Sequence, residues 1–410
     1  MHKLNFKPNI LFISFDGLSD PLGQSQILPY LFGLSKNYNI TIISCEKKER
    51  LEKEKNNIIS LLKTAEINWE FIYFEENTNL FSKYNYSKSL KKLALKIIIT
   101  NDIKLIHCRS YPAANLGLYF YKKFNIPFVF DMRGFWADER LEGKIWKKSN
   151  PLHLMLYLFF KAKEKKFFNQ ASHIVSLTHK GKSIIENKFK INNNKITVIP
   201  CCVDLEMFKP ISNKIDIKQT IGFNENDKLL IYIGSVGTWY LTNEVINCFK
   251  VWHNQNNIFK LLILTKDNNA INELIHDLDI NIKNAIKSIS VSHNLVPSYL
   301  SLACASIFFI KNSYSKQASS PTKMAESWAM NVPIITNAGI GDNDIYFNQN
   351  NGGVLINNFS NDAYLKAYND FLNLNKNNFR SIAEKDFNHL NGIEKYNNIY
   401  NLILNASKNN

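Results

Sequence analysis

The sequence predicts an α/β protein of two doubly wound domains with a cleft between them, and three observations carry that expectation. Short apolar runs alternate with longer helix-like stretches along the whole chain, the pattern of parallel strands joined by crossover helices. The runs fall into two sets, each long enough for one sheet. A chain of 410 residues also exceeds what a single hydrophobic core ordinarily supports.

The first set of predicted strands covers residues 9–15, 40–44, 69–74, 105–107, 128–130, 173–176 and 197–199. The second covers 228–233, 260–264, 289–291, 305–310, 332–336 and 353–355. Strand signals lapse from Pro200 through Pro210 to about residue 216, which reads as the linker. The expected domains are therefore 1–205 and 206–380, with a helical tail over 381–410 packing back across both. In open α/β sheets ligands bind beyond the carboxyl ends of the strands, so the loops following the strands are the places to look for chemistry.

Composition narrows the function classes. Residues 1–210 hold 33 Lys and Arg against 19 Asp and Glu, whereas residues 211–410 hold 17 against 16, so nearly all of the +15 net charge lies in the first half. One basic half fits either a solubilising surface or a domain that meets a polyanion such as anionic lipid, a phosphate-linked substrate or nucleic acid. No recognisable nucleic-acid reading module is present, and no nucleic-acid partner is expected. The six cysteines form no C-x-x-C pair, and Cys201 and Cys202 are adjacent, so they read as reduced thiols of a cytoplasmic protein. The N-terminus shows no cleavable signal pattern, which disfavours a secreted solute-binding protein. The longest apolar run, 152–160, is about half of the ~20 residues a spanning helix needs.

The strongest local signal is Ser319-Ser320-Pro321-Thr322-Lys323 with Glu326 following. A strand ends, a polar loop follows, and Ser-Pro predicts a helix with Ser320 as N-cap and Pro321 at its first position. Such a helix start offers unpaired amides and a positive dipole end to an anion, and Lys323 adds a full charge. Glu326 is placed to accept hydrogen bonds from sugar hydroxyls. A well-capped surface helix fits the same local pattern.

The stretch from Ser319 to Asp342 resembles the donor-site signature of group 1 glycosyltransferases (glycosyltransferase family 4), and other segments are similar to that family in the right order. These are Asp16–Gln26, Asp131-Met132-Arg133-Gly134-Phe135-Trp136, the run from Val198 to Pro210, and Gly234–Tyr240. The resemblance implies the GT-B fold, two Rossmann-like domains facing an interdomain cleft. It implies transfer of a sugar, with retention, from a nucleotide diphosphate sugar to a hydroxyl of a glycan or lipid-linked acceptor, in cell-surface polysaccharide or glycoconjugate synthesis. Glu326 would bind the ribose, Ser320, Pro321, Thr322 and Lys323 would lie beside the phosphates and sugar, and His293 to Val296 would lie near the base.

Two departures from the family pattern stand out. Many members carry a second Glu eight positions before Glu326, where this chain has Ala318. Many also carry an Arg after the first glycine of the loop Gly234–Gly237, where this chain has Ser235. Glycines here let the backbone approach a phosphate closely, and Lys266, at the end of its strand, is the expected compensating cation. These departures motivate an alternative, a non-catalytic partner subunit of a glycan-synthesis complex.

In the first domain, Asp16, Gly23 and Gln24 lie in the first strand-to-helix loop and are expected at the acceptor, with Gly17 and Gly23 allowing tight turns. A capped loop with Asp20-Pro21 at the helix start is the plainer reading. Asp131 is the expected orienter of the acceptor hydroxyl, or simply a partner of Arg133. Arg133 and Arg109 suit a phosphate or carboxylate on the acceptor, and Trp136 completes the acceptor set. His107 reads as a packed strand-end histidine. The run Lys144-Ile145-Trp146-Lys147-Lys148, the apolar stretch 152–160 and the bases at 161–166 fit either a peripheral contact with an anionic membrane on the inner face or a buried helix with a basic edge. Asp342-Asn343-Asp344 spells D-x-D, but its place after the loop Gly339-Ile340-Gly341 predicts a helix cap. No metal and no cofactor are expected.

Overall fold

The computed structural model describes residues 7–75, 80–211, 215–375 and 378–407. Parts of three sequence expectations, the N-terminal segment, residues 212–214 of the linker and the end of the tail, lie outside the described residues. The chain divides into two units, residues 1–200 with 389–410, and residues 201–388.

The first unit is a seven-stranded parallel sheet of β1 (Asn9–Ser14), β2 (Asn39–Glu46), β3 (Asn68–Tyr73), β4 (Leu105–Arg109), β5 (Phe128–Asp131), β6 (His173–Ser176) and β7 (Ile196–Val198). Their order is β3-β2-β1-β4-β5-β6-β7, the doubly wound arrangement whose direction reverses between β1 and β4. Strands covered on both faces read as unbroken apolar runs, which is why Ile10, Leu11 and Ile13 of β1 are all fully buried.

The second unit repeats the plan with six parallel strands, β8 (Lys228–Ile233), β9 (Phe259–Leu264), β10 (Ile286–Ile289), β11 (Ala303–Ile307), β12 (Ile334–Asn337) and β13 (Gly353–Ile356). The order is β10-β9-β8-β11-β12-β13, reversing between β8 and β11. Both units are thus Rossmann-like, as expected. Trp252 and Trp328 lie fully buried in the second core, and Trp328 is anchored by its indole N–H donating to the Gly352 carbonyl at 2.8 Å.

The stretch read as linker is already part of the second unit at Cys201. The Val203 N–H donates to the Phe387 carbonyl at 2.7 Å, and Val203 bridges Asn388 in parallel. The segment expected as one tail divides into two helices. Arg380–Asp386 lies in the second unit, where the Arg380 guanidinium donates to the carbonyls of Leu205, Phe208 and Ala329. His389–Ala406 belongs to the first. It packs on the helix Leu28–Leu34, where a Cβ on Gly33 would lie 2.5 Å from Ile393, so only glycine admits that approach. The hydroxyl of Tyr38 donates toward Asn397 and Asn401 of the same helix at 2.9 and 2.8 Å.

Candidate functional site

In the second unit the chemistry gathers where β8, β11 and the helix Thr322–Ala329 end or begin. β8 leads into Gly234, whose φ of +137° is open to glycine alone. A Cβ there would stand 2.7 Å from Nζ of Lys323, so the missing side chain is what leaves room for the ammonium group. Gly237 turns the loop with a φ of +77°, and the space its Cβ would take is open. The Val236 N–H is held by Asp267 Oδ2 at 2.9 Å. Lys266, the cation expected to compensate for Ser235, is exposed beside that aspartate at the end of β9.

Lys323 itself is 5% exposed, and its Nζ has no hydrogen-bond partner among the described residues. Instead it lies 3.6 Å from the ring centre of Tyr240 and 5.2 and 5.3 Å from those of Tyr232 and Phe308. Aromatic faces attract a cation, but they replace only part of its hydration. Burial therefore pulls the lysine from an ordinary 10.5 down to about 7, against the pull of Glu326. An unsatisfied buried amine beside an open glycine loop is a place for an anion.

Glu326, one turn further along the same helix, is nearly buried and accepts from His293 Nε2 at 3.1 Å. That hydrogen bond outweighs desolvation and holds the His293 imidazolium above the ordinary histidine range. Val296 is buried at the head of the short helix Val296–Leu300, directly after His293–Leu295. The helix bearing Lys323 starts one residue later than Ser-Pro predicts. Pro321 is extended at the N-cap position and Thr322 is the first helical residue, because ψ of Pro321 is +124°. No side chain caps it, and the Ser320 hydroxyl accepts instead from the Cys201 N–H at 3.2 Å. Ala318 ends the 3-10 turn Ser315–Ala318 with no exposed surface. Within that turn the buried Lys316 has its Nζ 3.9 Å from the Trp239 ring centre. Asp342 occupies the N-cap position of the helix Asn343–Asn350, as D-x-D after a glycine loop predicts, although its side chain makes no capping bond.

In the first unit the loop after β1 is pinned by a residue that the sequence did not single out. Glu46, at the end of β2, has no exposed surface and accepts from the N–H groups of Leu18 and Ser19 and the hydroxyls of Ser19 and Ser44, at 2.5–3.1 Å. Gly17 faces that carboxylate, and a Cβ on Gly23 would fall 2.0 Å from the Gly17 carbonyl, so both glycines serve close approach. Asp16 is exposed and accepts from Arg109 Nε at 3.2 Å, and Gln24 is exposed on the first helix. Asp20 sits at the N-cap position of Pro21–Gln26, yet its carboxylate pairs with Lys47 at 3.0 Å and with Arg50 rather than capping.

Asp131, expected to orient the acceptor hydroxyl or simply to pair with Arg133, is enclosed by side chains of its own unit, Arg133 among them. It is 1% exposed at the end of β5. The Tyr396 hydroxyl donates to its Oδ2 at 3.1 Å, with His107 Nε2 at 3.5 Å, Arg109 at 3.8 Å and Arg133 at 3.9 Å. Burial alone would raise its carboxyl, but Arg133, His107 and Arg109 outweigh burial and hold it below the usual range. Asp131 therefore stands as a buried carboxylate between the two arginines. His107 is packed, as predicted. It stacks on Phe12, its Nδ1 lies 2.7 Å from the Tyr400 hydroxyl, and burial pulls its pKa below the ordinary histidine value. Arg133 adopts a φ of +57° ahead of Gly134 at +113°, a strained corner of the sort found at functional loops. Trp136 packs between Tyr111, Trp146 and Phe160, with the Arg140 guanidinium 4.2 Å from its ring centre.

Comparison with known proteins supplies the family. The profile described as Glycosyltransferase Family 4 matches residues 33–207, and that of Glycosyl transferases group 1 matches residues 213–386. The chain belongs to this glycosyltransferase family. Among proteins of curated function none matches the sequence. Solved structures share its fold over nearly the full length. HepE of Anabaena, solved with UDP and glucose, has a TM-score of 0.68 at 11% identity, covering 95% of this chain and 98% of its own. Sucrose-phosphate synthase of Thermosynechococcus elongatus has 0.71 at 13%, covering 98% and 100%. A glycosyltransferase from Rickettsia africae has 0.67 at 17%, covering 97% and 99%. The fold of this glycosyltransferase is GT-B. Among its described residues no group of three or more His, Cys, Asp and Glu is placed to hold a metal ion.

Sequence reasoning missed three participants in these two clusters. Glu46 reads as an ordinary acid before a charged run. Tyr240 and Tyr396 reach their partners from elements remote in sequence, and only their aromatic character hinted at a packing role.

Proposed function

We propose that this glycosyltransferase moves a sugar from a nucleotide diphosphate sugar to a hydroxyl of a glycan or lipid-linked acceptor, with retention, in the synthesis of a surface polysaccharide or glycoconjugate. The observation that carries the reading is Lys323, a buried amine without a hydrogen-bond partner, set against the bare backbone of Gly234. In transfer the bond from the anomeric carbon to the diphosphate oxygen breaks, and the acceptor oxygen forms a new bond to that carbon and gives up its proton to the departing diphosphate. Charge builds on the departing diphosphate. Preorganised donors in a water-poor site stabilise such charge far better than water does. Lys323 and the first amides of its helix fill that role, with Glu326 free at Oε2 to take a ribose hydroxyl. No enzyme nucleophile and no metal enter this reading.

On the acceptor side, Arg109 and Arg133 offer cations for a phosphate or carboxylate, Asp16 and Gln24 offer polar groups, and Asp131 sets the arginines. HepE was solved with UDP-glucose, which makes UDP sugars the first donors to try. The reading places the reaction in the cytoplasm, at a membrane surface where the acceptor is lipid-linked.

The test is a panel of nucleotide sugars with purified protein, with and without membrane extract, read as nucleotide release and as calorimetric binding. Glu326→Ala is expected to abolish donor binding. Unchanged binding would sink the donor-site assignment, and a wild-type protein that binds no nucleotide would favour the non-catalytic subunit.

A further inference from the structure

The helix Pro151–Gln170 is apolar on two faces, and only one of them is covered. Its inner face carries Tyr157, Phe160, Glu164, Phe167 and Phe168. Tyr157 donates to Asp138 at 3.0 Å, Phe160 meets Trp136 edge-on at 4.8 Å, and Glu164 is fully buried between Tyr111 and Lys161. The outer face carries Leu152, Met155, Leu158 and Phe159, which are 54%, 59%, 57% and 45% exposed. Spacings of three and four residues put these four side chains on one stripe. Ile145, just before the helix, is exposed as well. The sequence left burial and surface contact as equal readings of this run, and the structure leaves the stripe in water. A contiguous apolar stripe of that kind marks an interaction site.

Charge decides what covers it. Lys144, Lys147 and Lys148 stand exposed before the stripe, and Lys165 and Lys166 after it. Between residues 143 and 166 the single acid is Glu164, which is buried and already paired. Burial, then the nearby charges of Lys166 and Lys122, pull the Lys163 amine down, so the bases at that end are crowded. Two copies of this face would bring lysine against lysine, and a nucleic-acid backbone would leave the four apolar side chains uncovered. An anionic bilayer satisfies both features, since apolar side chains enter the boundary of the acyl region while lysines meet phosphates. No helix among the described residues is long and apolar enough to cross a membrane.

We propose that Leu152, Met155, Leu158 and Phe159, framed by Lys147, Lys148, Lys165 and Lys166, form a docking surface for anionic phospholipid. The proposal stands on this helix alone and does not depend on the donor reading. The test is flotation of the full chain with vesicles of phosphatidylcholine alone, and of phosphatidylcholine and phosphatidylglycerol in equal parts, without donor.

Binding is expected to the mixed vesicles only, and to weaken as salt rises. Lysines near an anionic surface contribute roughly five-fold each, so K147Q with K148Q is expected to weaken binding about twenty- to thirty-fold. Leu158→Gln with Phe159→Gln is expected to weaken it at least about ten-fold, with an unchanged thermal midpoint and unchanged donor hydrolysis. Equal binding to neutral and mixed vesicles, or wild-type binding by both double variants, would overturn the proposal. So would a concentration-dependent dimer that the apolar variant dissolves while vesicle binding is absent. Loss of donor hydrolysis in a protein that still floats would count against the donor reading and leave the docking surface standing.

Discussion

Lys323→Met removes a charge that the fold holds at a cost, and the cost can be read as a pH dependence. The folded protein keeps this amine near 7, whereas the unfolded chain keeps it at the ordinary 10.5. Between those values the unfolded chain binds one proton more than the folded one, so wild-type stability rises with pH across that window relative to the variant. Below 7 both states are charged and the whole burial penalty is present. Working the two titrations through, the penalty falls by about 3 kcal/mol between pH ~6 and ~9.5. Methionine has nearly the same length and no charge to desolvate, and it keeps contact with Tyr240, Tyr232 and Phe308. Urea unfolding of both proteins is expected to show the variant more stable at the acidic end, with the gap closing as pH rises. A gap that does not change with pH would refute the reasoning.

The same lysine links donor binding to protons. A diphosphate at Nζ supplies the partner the amine lacks and raises its pKa. At pH ~8 the free protein has only about a tenth of Lys323 protonated, so binding UDP is expected to take up nearly one proton, and near pH ~6 almost none. Calorimetry in two buffers of different ionisation enthalpy measures this directly. Lys323→Met is expected to lose the uptake and at least about thirty-fold in UDP affinity. Gly234→Ala is a second probe. Its Cβ would crowd Nζ at 2.7 Å and must adopt a φ of +137°, so it is expected to weaken binding while retaining the lysine. UDP binding with identical proton uptake in wild type and Lys323→Met would remove Lys323 from the donor site.

Asp131→Asn strips the buried anion that Arg109 and Arg133 share and leaves Arg109 to Asp16 alone, an expected loss of about 3 kcal/mol. The native carboxyl is depressed, so its contribution is present above the unfolded value and lost as pH falls through the folded one. Urea unfolding should therefore separate the two proteins at neutral pH and bring them together in strong acid, and a variant as stable as wild type at neutral pH would show that the arginines do not need Asp131. Glu46→Gln turns an acceptor of four hydrogen bonds into a group that presents N–H to the amides of the first loop, with an expected loss of about 2–3 kcal/mol. Hydrogen exchange at Leu18 and Ser19 should quicken in that variant, and unchanged protection would mean that the loop is held otherwise.

The sheets were legible because buried parallel strands are apolar throughout, and β6 and β8 run over the residues that the sequence predicts. The displaced strand is β10, expected over 289–291 and found at Ile286–Ile289. It is an edge strand in which Lys287 and Ser288 interrupt the apolar run, so the pattern pointed past it. Lys323 and Glu326 were legible from a local helix start, but the burial of Lys323 was not. Its cage comes from β8, the loop after it and the segment following β11, and no window of sequence brings those three together. The enclosure of Asp131 was not legible for the same reason, since Tyr396 closes over it from a helix more than 260 residues later.

The contrast between the two halves of the donor site has the same origin. Nucleotide recognition as proposed uses groups that one helix presents in order, so the sequence displays it. On the sugar side as proposed, the resemblance leads one to expect a carboxylate in the turn Ser315–Ala318, where the chain has Ala318. That alanine has no exposed surface, and Lys316 beside it is buried over the face of Trp239. A glutamate at 318 would have to be desolvated without a place made for it, at a cost of about 1–3 kcal/mol or more. The Gly341 N–H is bonded to the Lys316 carbonyl at 2.8 Å, which fixes the turn against the glycine loop that precedes Asp342. The turn is thus packed as a unit around an alanine and a lysine. Restoring the family's acid at one position would not restore the family's sugar pocket, because the charge, the aromatic ring and the backbone anchor would all have to move with it.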